Sequence, residues 1–423
     1  MQGSTLQDTT QYSGVLALVC SLVFMALQGC VSLPQRTGTA PGDAGMAGDS
    51  ETAGAMPMTV RTLNADHRYS EVSFGEVAAR LQALNENGPV NILALSGGGA
   101  GGAFGAGAMV GLTLSGRRPQ FTVVTGVSAG ALIAPYAFLG PAWDRQLTQI
   151  YTGGSGEHVL RSRGLGVLFG SSMYRGTPLK ALVDRYADDS LIEAVAAEAR
   201  KCRLLLVATT DVNTGEPVVW DLGAIAMHGG AQARTLFRDV LVASASVPGM
   251  FPPVVIRNET HVDGGVTLPF LVAPSPADMA RQPADSVQGA RLYVLIDGQL
   301  GEHPRATRLR TTAIVSRSVA AGLNTMMRTA LELTADDASQ RGIRLDYSAI
   351  PVSYPYRGAF DFSAESVRPL FQYASDCARN GRLWTAFRPA DDGTAASPAA
   401  PTVSAVSCPA DDVFIERFAE RLR

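Results

Sequence analysis

The sequence has little charge: 17% of its 423 residues are Asp, Glu, Lys or Arg, and the formal net charge is −3. No block of like charges stands out, so the chain offers no basic patch of the kind that binds nucleic acid. It also has few cysteines, 5 in all, and none forms a C-x-x-C or a cysteine–histidine spacing typical of a metal site. We therefore expect no nucleic-acid partner and no bound metal.

Acidic residues are absent from the long stretch between Glu86 and Asp144. Within it, the run from Gly97 to Gly102 has the glycine spacing of a dinucleotide-binding turn, which also needs an acid about 20 residues downstream for the ribose. A P-loop would need Lys and then Ser or Thr after the last glycine, where this chain has Ala103-Phe104. Both nucleotide interpretations fail, and we expect no nucleotide or other cofactor.

What the same stretch does contain is a pattern of strand, glycine turn and helix, repeated twice. Asn91–Ser96 is apolar and β-prone, and leads through the glycine run into an Ala/Gly-rich segment ending at Leu114. The second β-prone run, Phe121–Thr125, leads into Gly126-Val127-Ser128-Ala129-Gly130. This order predicts an α/β fold. The second turn matches G-x-S-x-G, in which a serine nucleophile sits on a tight turn between strand and helix.

A third motif lies far downstream, at Asp263-Gly264-Gly265, after a Pro-rich approach that ends at Pro252-Pro253. Together, the glycine loop, the serine elbow and the D-G-G turn resemble the patatin-like phospholipase family in both content and order. The resemblance covers roughly residues 90 to 276. It implies a three-layer α/β/α sandwich with a mainly parallel central sheet, followed by a mostly helical C-terminal extension.

The resemblance also implies the chemistry: a serine lipid acyl hydrolase that cleaves ester-linked acyl chains. Ser128 would be the nucleophile and Asp263 its base, a catalytic dyad on an elbow flanked by Gly126 and Gly130. Backbone N–H groups of the glycine loop would stabilise the oxyanion, with Gly98 and Gly99 nearest to it. The loop glycines are Gly97, Gly98, Gly99, Gly101 and Gly102.

Two positions depart from the family pattern. Gly101 stands where the glycine loop usually has Lys or Arg, and the asparagine expected before Pro269 is replaced by Leu268. Neither change removes a catalytic atom, but the first weakens the positive field around the loop.

The N-terminus has the pattern of a targeting segment. The apolar run Val15–Leu27 is too short for an ordinary membrane span and ends at Leu27-Gln28-Gly29-Cys30, which resembles the cleavage box of a bacterial lipoprotein. We expect lipid on Cys30 and a membrane partner through that anchor. Val31 after the cysteine resembles the pattern for delivery to the outer membrane, facing the periplasm.

The domain organisation follows from these assignments. We divide the chain into a lipoprotein signal peptide (1–29), a flexible tether (30–60), a helical lead-in (61–89), the catalytic domain (90–276) and the extension (277–423). Among the remaining cysteines, Cys202 abuts a predicted strand and is interpreted as a buried thiol. Cys377 and Cys408 flank a loose segment, where a disulfide would suit an oxidising periplasm.

Two alternatives remain open. The first is an α/β-hydrolase with a Ser-Asp-His triad, for which His303 is the one histidine late enough in the chain. The second is a non-catalytic lipid-binding envelope lipoprotein that keeps the fold, and Gly101 is the feature that supports it. Headgroup, acyl-chain length and the choice between hydrolysis and acyl transfer depend on a pocket whose walls the sequence does not place.

Overall fold

The structure of the chain is a computed structural model, which describes residues 59–63, 69–73, 90–154, 172–272, 290–301, 309–340 and 342–386. The predicted signal peptide, Cys30, Cys408 and His303 lie outside these residues, as do nearly all of the tether and the C-terminus after 386. Within the described ranges, no helix combines the length and the apolar character needed to cross a bilayer.

The described strands form one mixed sheet of eleven strands. In chain order the strands are β1 (Thr59–Leu63), β2 (Tyr69–Ser73), β3 (Asn91–Leu95), β4 (Val123–Val127), β5 (Leu204–Asp211), β6 (Glu216–Asp221), β7 (Val254–Ile256), β8 (Glu259–Asp263), β9 (Arg291–Ile296), β10 (Arg344–Ala349) and β11 (Thr385–Ala386). In space their order is β11-β10-β9-β3-β4-β5-β6-β1-β2, with β8 paired to β5 and β7 paired to β8. The central strands β10, β9, β3, β4 and β5 are mutually parallel.

Helices cover both faces of the sheet, because successive side chains of a strand point to opposite faces and both faces here are apolar. One face, which includes Leu93, Leu95 and Val124, packs against most of the helices. The other, which includes Ile92, Ala94 and Val123, packs in the described part of the chain against one long helix, α8 (Thr311–Gln340). The helices are α1 (Gly102–Leu114), α2 (Ala129–Leu139), α3 (Asp144–Thr152), α4 (Thr177–Tyr186), α5 (Asp189–Ala199), α6 (Leu222–His228), α7 (Gly230–Ser244), α8 (Thr311–Gln340) and α9 (Ala364–Arg379).

This architecture confirms the predicted class, a sandwich of helices around a mainly parallel sheet with a largely helical C-terminal part. The chain beyond residue 276 also contributes strands to that sheet. β9 lies between β3 and β10 in the sheet. The strand that leads into the glycine loop, β3, therefore pairs with a strand from beyond residue 276. Glycines in α1 bring α9 equally close: a Cβ on Gly107 would lie 2.1 Å from the carbonyl oxygen of Phe371.

The N-terminal lead-in differs from its prediction where it is described. Residues 59–63 and 69–73 are the antiparallel strands β1 and β2, and β1 extends the sheet beside β6. The predicted helix at 74–85 lies outside the described residues. The helical interpretation was wrong for 61–63 and 69–73, because strand pairing rather than local periodicity stabilises them. β1 pairs with β6, about 160 residues away, and β2 pairs with β1.

The cysteines give one correction. Cys202 is exposed rather than buried, in the turn that joins α5 to β5, where its φ is 65°. Burial begins one residue later, at Arg203, just before β5. The prediction was wrong because a residue next to a buried strand need not itself be buried. Cys377 is disulfide-bonded to a cysteine outside the described residues. Its pairing with Cys408 therefore stays a prediction.

Candidate active site

Ser128 occupies a strained turn between β4 and α2. Its φ is 54° and its ψ is −121°, a combination that L-residues rarely adopt and that the surrounding packing must hold. Gly126 and Gly130 make the turn possible, since a Cβ on Gly130 would lie 2.5 Å from the carbonyl oxygen of Leu95. The predicted elbow is present, and its serine is buried.

The register of β5 brings Asp263 to this serine. The first part of β5 pairs with β4, up to Val127 opposite Ala208. At the next residue of β5, Thr209, the partner becomes Asp263 of the antiparallel strand β8. β8 therefore continues where β4 ends, and its last residue lies beside the residue that follows β4. The Oγ of Ser128 donates a hydrogen bond of 2.5 Å to Oδ2 of Asp263.

Asp263 is held in an environment that disfavours its charge. Burial raises the pKa of its carboxyl to about 7, although the hydrogen bonds from Ser128 and from the N–H of Gly265 act in the opposite direction. The Gly265 N–H donates to Oδ1 at 2.7 Å, which leaves Oδ2 for the serine. A carboxylate with a pKa near 7 is a far better proton acceptor than an ordinary aspartate, which would scarcely accept a proton at neutral pH.

The glycine loop after β3 lies against the serine: a Cβ on Gly97 would be 3.1 Å from the Cβ of Ser128. Three of its five predicted N–H donors are already used. Gly97 donates to Pro269, Gly101 to Gly98, and Gly102 to Gly99. The N–H groups of Gly98 and Gly99 donate to no backbone carbonyl in the described part of the chain. These two are the ones available to an oxyanion.

Asp297 supports that loop from the end of β9, and the sequence reasoning did not assign it a role. Its carbonyl oxygen would lie 1.9 Å from a Cβ on Gly98 or on Gly101, and its Oδ1 accepts from the N–H of Gly105 at 2.9 Å. Burial raises the pKa of the Asp297 carboxyl well above its ordinary value. The sequence signal that could have identified Asp297 is a polar residue at the carboxyl end of a buried parallel strand.

The same contact explains why residue 101 carries no basic side chain. Besides the carbonyl of Asp297, a Cβ there would meet the hydroxyl of Tyr356 at 2.9 Å. The loop of this protein thus packs too closely against its neighbours to admit a side chain at Gly101.

Ser244 is a second supporting residue that the sequence did not reveal. Its Oγ accepts the N–H of Ser128 at 3.0 Å and donates to the carbonyl of Ala208 at 2.7 Å. It therefore ties the strained elbow to β5 at the point where β4 gives way to β8. It ends α7, and nothing in its local sequence distinguishes it from other helix-terminal serines.

An apolar cavity, partly open to solvent, adjoins Ser128 and the glycine loop. Arg368 is the one charged side chain among the described residues that line it. The apolar lining suits a hydrocarbon chain. Its apolar walls include Leu132, Ile150, Leu182, Phe251, Phe362 and Val367.

No histidine contacts the serine in the described part of the chain. His261 is buried two residues before Asp263, but its ring is hydrogen-bonded to Thr209 and lies 3.4 Å from Glu259. In the same ranges, no group of three or more His, Cys, Asp or Glu side chains could hold a metal ion.

Comparison with known proteins gives one family. Residues 93–278 match the model of the family described as patatin-like phospholipase. Among solved structures, the crystal structure of VipD from Legionella pneumophila is similar at 11% sequence identity, over 79% of this chain and 72% of that one, with a TM-score of 0.31. None of the curated proteins compared matches the chain.

Proposed function

This chain carries a patatin-like phospholipase domain at residues 93–278, and we infer from it that the protein is a serine hydrolase of lipid esters. The family assigns the chain to the lipid acyl hydrolases. The finer proposal is that Ser128 and Asp263 form its catalytic dyad. The observation that carries it is the 2.5 Å hydrogen bond between Ser128 Oγ and Asp263 Oδ2, beside an apolar cavity.

The proposed reaction has two halves. Ser128 Oγ attacks the ester carbonyl carbon while its proton passes to Oδ2 of Asp263. The oxyanion accepts hydrogen bonds from the N–H groups of Gly98 and Gly99. As the carbon–oxygen bond of the ester breaks, Asp263 returns the proton to the leaving alcohol, and the acyl group remains on Ser128. A water molecule then attacks the acyl carbon and gives a proton to Asp263. As the bond between the acyl carbon and Ser128 Oγ breaks, Asp263 passes that proton to Oγ, and the fatty acid is released.

The surroundings favour an ester as the substrate. An alkoxide leaving group needs less assistance than an amine, so one carboxylate with a pKa near 7 is a sufficient acid and base. The apolar cavity would hold the acyl chain, and Arg368 at its lining offers a positive charge to a polar headgroup. These features support lipid esters over peptides.

The two alternatives fit the geometry less well. A Ser-Asp-His triad needs an imidazole between serine and aspartate, yet these two side chains are in direct hydrogen-bond contact. A non-catalytic scaffold has no use for a strained serine and a buried carboxyl of raised pKa. Both would be excluded by the same experiment.

We test the dyad with a fluorophosphonate probe and a soluble p-nitrophenyl ester. Wild type should be labelled, while Ser128→Ala should lose both labelling and activity by several orders of magnitude. Asp263→Asn keeps the side-chain shape but cannot accept a proton, so its activity should be close to that of Ser128→Ala. The double variant should be no worse than either single one. His303→Ala is the matched control and should stay within a few-fold of wild type. An inactive His303→Ala beside an active Asp263→Asn would overturn the dyad.

We propose, in addition, that the chain is a lipoprotein of the bacterial outer membrane, acylated on Cys30 and facing the periplasm. The sequence Leu27-Gln28-Gly29-Cys30 supports this proposal. Substrate lipids would then lie in the membrane to which the enzyme is attached.

A further inference from the structure

Helix α8 is much longer than the strands it covers. It connects β9 to the parallel strand β10, so it runs antiparallel to both, and its N-terminus lies toward their carboxyl ends. Its 30 residues span about 45 Å, whereas the 6 residues of β9 span about 20 Å. More than half of the helix therefore has no strand beneath it.

The burial of its side chains locates the surplus. The fully buried residues of α8 in the described part of the chain all fall in its last ten residues: Leu331, Thr334, Ala335 and Ala338. Among the residues of α8 whose side chains the structure describes, Met327 is the first that packs on the core. Residues 309–326, which we call the α8 arm, thus extend roughly 25 Å beyond the carboxyl edge of the sheet.

The active site lies at that same edge. Ser128 follows β4, the glycine loop follows β3, and Asp297 follows β9, and these three strands are parallel. Phe360, which lines the cavity beside Ser128, is 46% exposed. The arm and the cavity therefore extend toward the same side of the molecule.

The arm is both apolar and basic. Leu309 is 92% exposed, and Ile314, Val319 and Leu323 are each about half exposed, so a large part of each side chain is open to solvent. Between Glu302 and Glu332 the sequence has five arginines and no acidic residue. Two of the arginines lie in the described part of the arm: Arg310 is exposed and Arg317 is half-buried. This combination is unlike the rest of the chain, in which acids slightly outnumber bases.

We propose that the α8 arm binds the surface of an anionic lipid bilayer and orients the cavity toward it. Exposed apolar side chains enter the boundary between headgroups and acyl chains, and the positive charge of the arm attracts anionic headgroups. That charge selects this partner over a second copy of the chain, since two arms of like charge repel each other. The choice of a lipid partner rests on the proposed function, but the contact itself requires no hydrolysis and no acyl group on Cys30.

The test measures vesicle binding of the full chain carrying Cys30→Ala and Ser128→Ala, so that neither an anchor nor turnover contributes. Co-sedimentation should be strong with vesicles of phosphatidylglycerol and phosphatidylcholine, and weak with phosphatidylcholine alone or at 0.5 M salt. Arg310→Glu should lower the partition coefficient roughly 20-fold, because each basic charge near an anionic surface contributes about fivefold. Val319→Ser with Leu323→Ser should lower it at least fivefold.

Two matched controls separate the arm from general effects. Arg200→Glu makes the same charge change at an exposed site between α5 and the amino end of β5, at the opposite edge of the sheet. Leu333→Ser removes an apolar side chain that is 66% exposed, on α8 but outside the arm. Both should bind as the parent does. With Ser128 restored, the arm variants should hydrolyse a soluble monomeric ester normally, which separates this proposal from the dyad.

Unchanged vesicle binding by both arm variants would overturn the proposal, as would equal losses in the arm variants and the controls. Sedimentation velocity of the same variants measures their oligomeric state. A change from dimer to monomer in Val319→Ser/Leu323→Ser, with vesicle binding intact, would assign the arm to a second copy of the chain instead.

Discussion

Replacing Asp263 by asparagine should abolish catalysis and, at alkaline pH, stabilise the protein. The first effect follows because an amide cannot accept the serine proton, and the second follows from the burial that raises the pKa of this carboxyl from 3.8 to about 7. The folded protein holds a proton on Asp263 between about pH 4 and pH 7, where the unfolded chain has lost it. The free energy of unfolding therefore receives its full contribution from Asp263 below pH 4, and loses it as the pH rises through 7.

The magnitude comes from the size of the shift. About three pKa units at 1.36 kcal/mol each correspond to about 4 kcal/mol, which wild type loses between pH 4 and pH 8 and an asparagine does not. The amide introduced by Asp263→Asn can still accept the N–H of Gly265 and can donate to Ser128, so the local hydrogen bonds persist. Relative to wild type, this variant should gain up to about 4 kcal/mol in the free energy of unfolding across this range.

Urea unfolding of both proteins at pH 4 and pH 8, followed by tryptophan fluorescence, measures this difference. In parallel, kcat/KM of wild type on a soluble ester should rise with pH with a midpoint near 7, because only the ionised carboxylate accepts the serine proton. Asp361→Asn is a control whose titration falls outside this range. Hydrogen bonds from Ser366 and Ser363 lower the pKa of Asp361 below its ordinary value of 3.8, so its stabilising contribution is lost only at more acidic pH. Its replacement should therefore change the free energy of unfolding by nearly the same amount at pH 8 and at pH 4. A stability difference for Asp263→Asn that does not change with pH, together with an activity midpoint below 5, would refute the reasoning.

Three further predictions concern other parts of the chain. Gly101→Lys should lower both stability and activity, because its Cβ would lie 1.9 Å from the carbonyl oxygen of Asp297. Thermal unfolding and ester hydrolysis measure these losses, and a fully active variant would contradict the prediction. Cys30→Ala should abolish labelling by radioactive fatty acid and release the protein from membranes, whereas equal labelling of both forms would exclude the anchor. Non-reducing peptide mapping should find Cys377 joined to Cys408, a bridge that by chain entropy contributes roughly 3–4 kcal/mol; a different partner for Cys377 would disprove the pairing.

The sequence alone identified the features that depend on residues close together in the chain. The strand before the glycine loop, the G-x-S-x-G elbow and the helix after it are each set by side-chain pattern and by glycine within about ten residues. The resemblance to the patatin-like family then supplied Asp263 as the partner of Ser128. A family pattern links motifs that are distant in the chain and meet in the fold, which the local sequence does not specify. The patatin-like domain, matched at residues 93–278, and the fold class are confirmed; the roles of the residues remain for experiment.

Only the tertiary structure decided what depends on pairing between distant segments. That Asp263 lies beside Ser128 follows from β5 exchanging one neighbour for another between Ala208 and Thr209. Which glycine N–H groups remain available depends on Pro269 and on turns within the loop itself. The position of β9 between β3 and β10 brings Asp297 under the glycine loop from about 200 residues downstream. Strand pairing depends on burial and register across the whole sheet, and a local pattern of apolar residues is the same for every neighbour a strand could take.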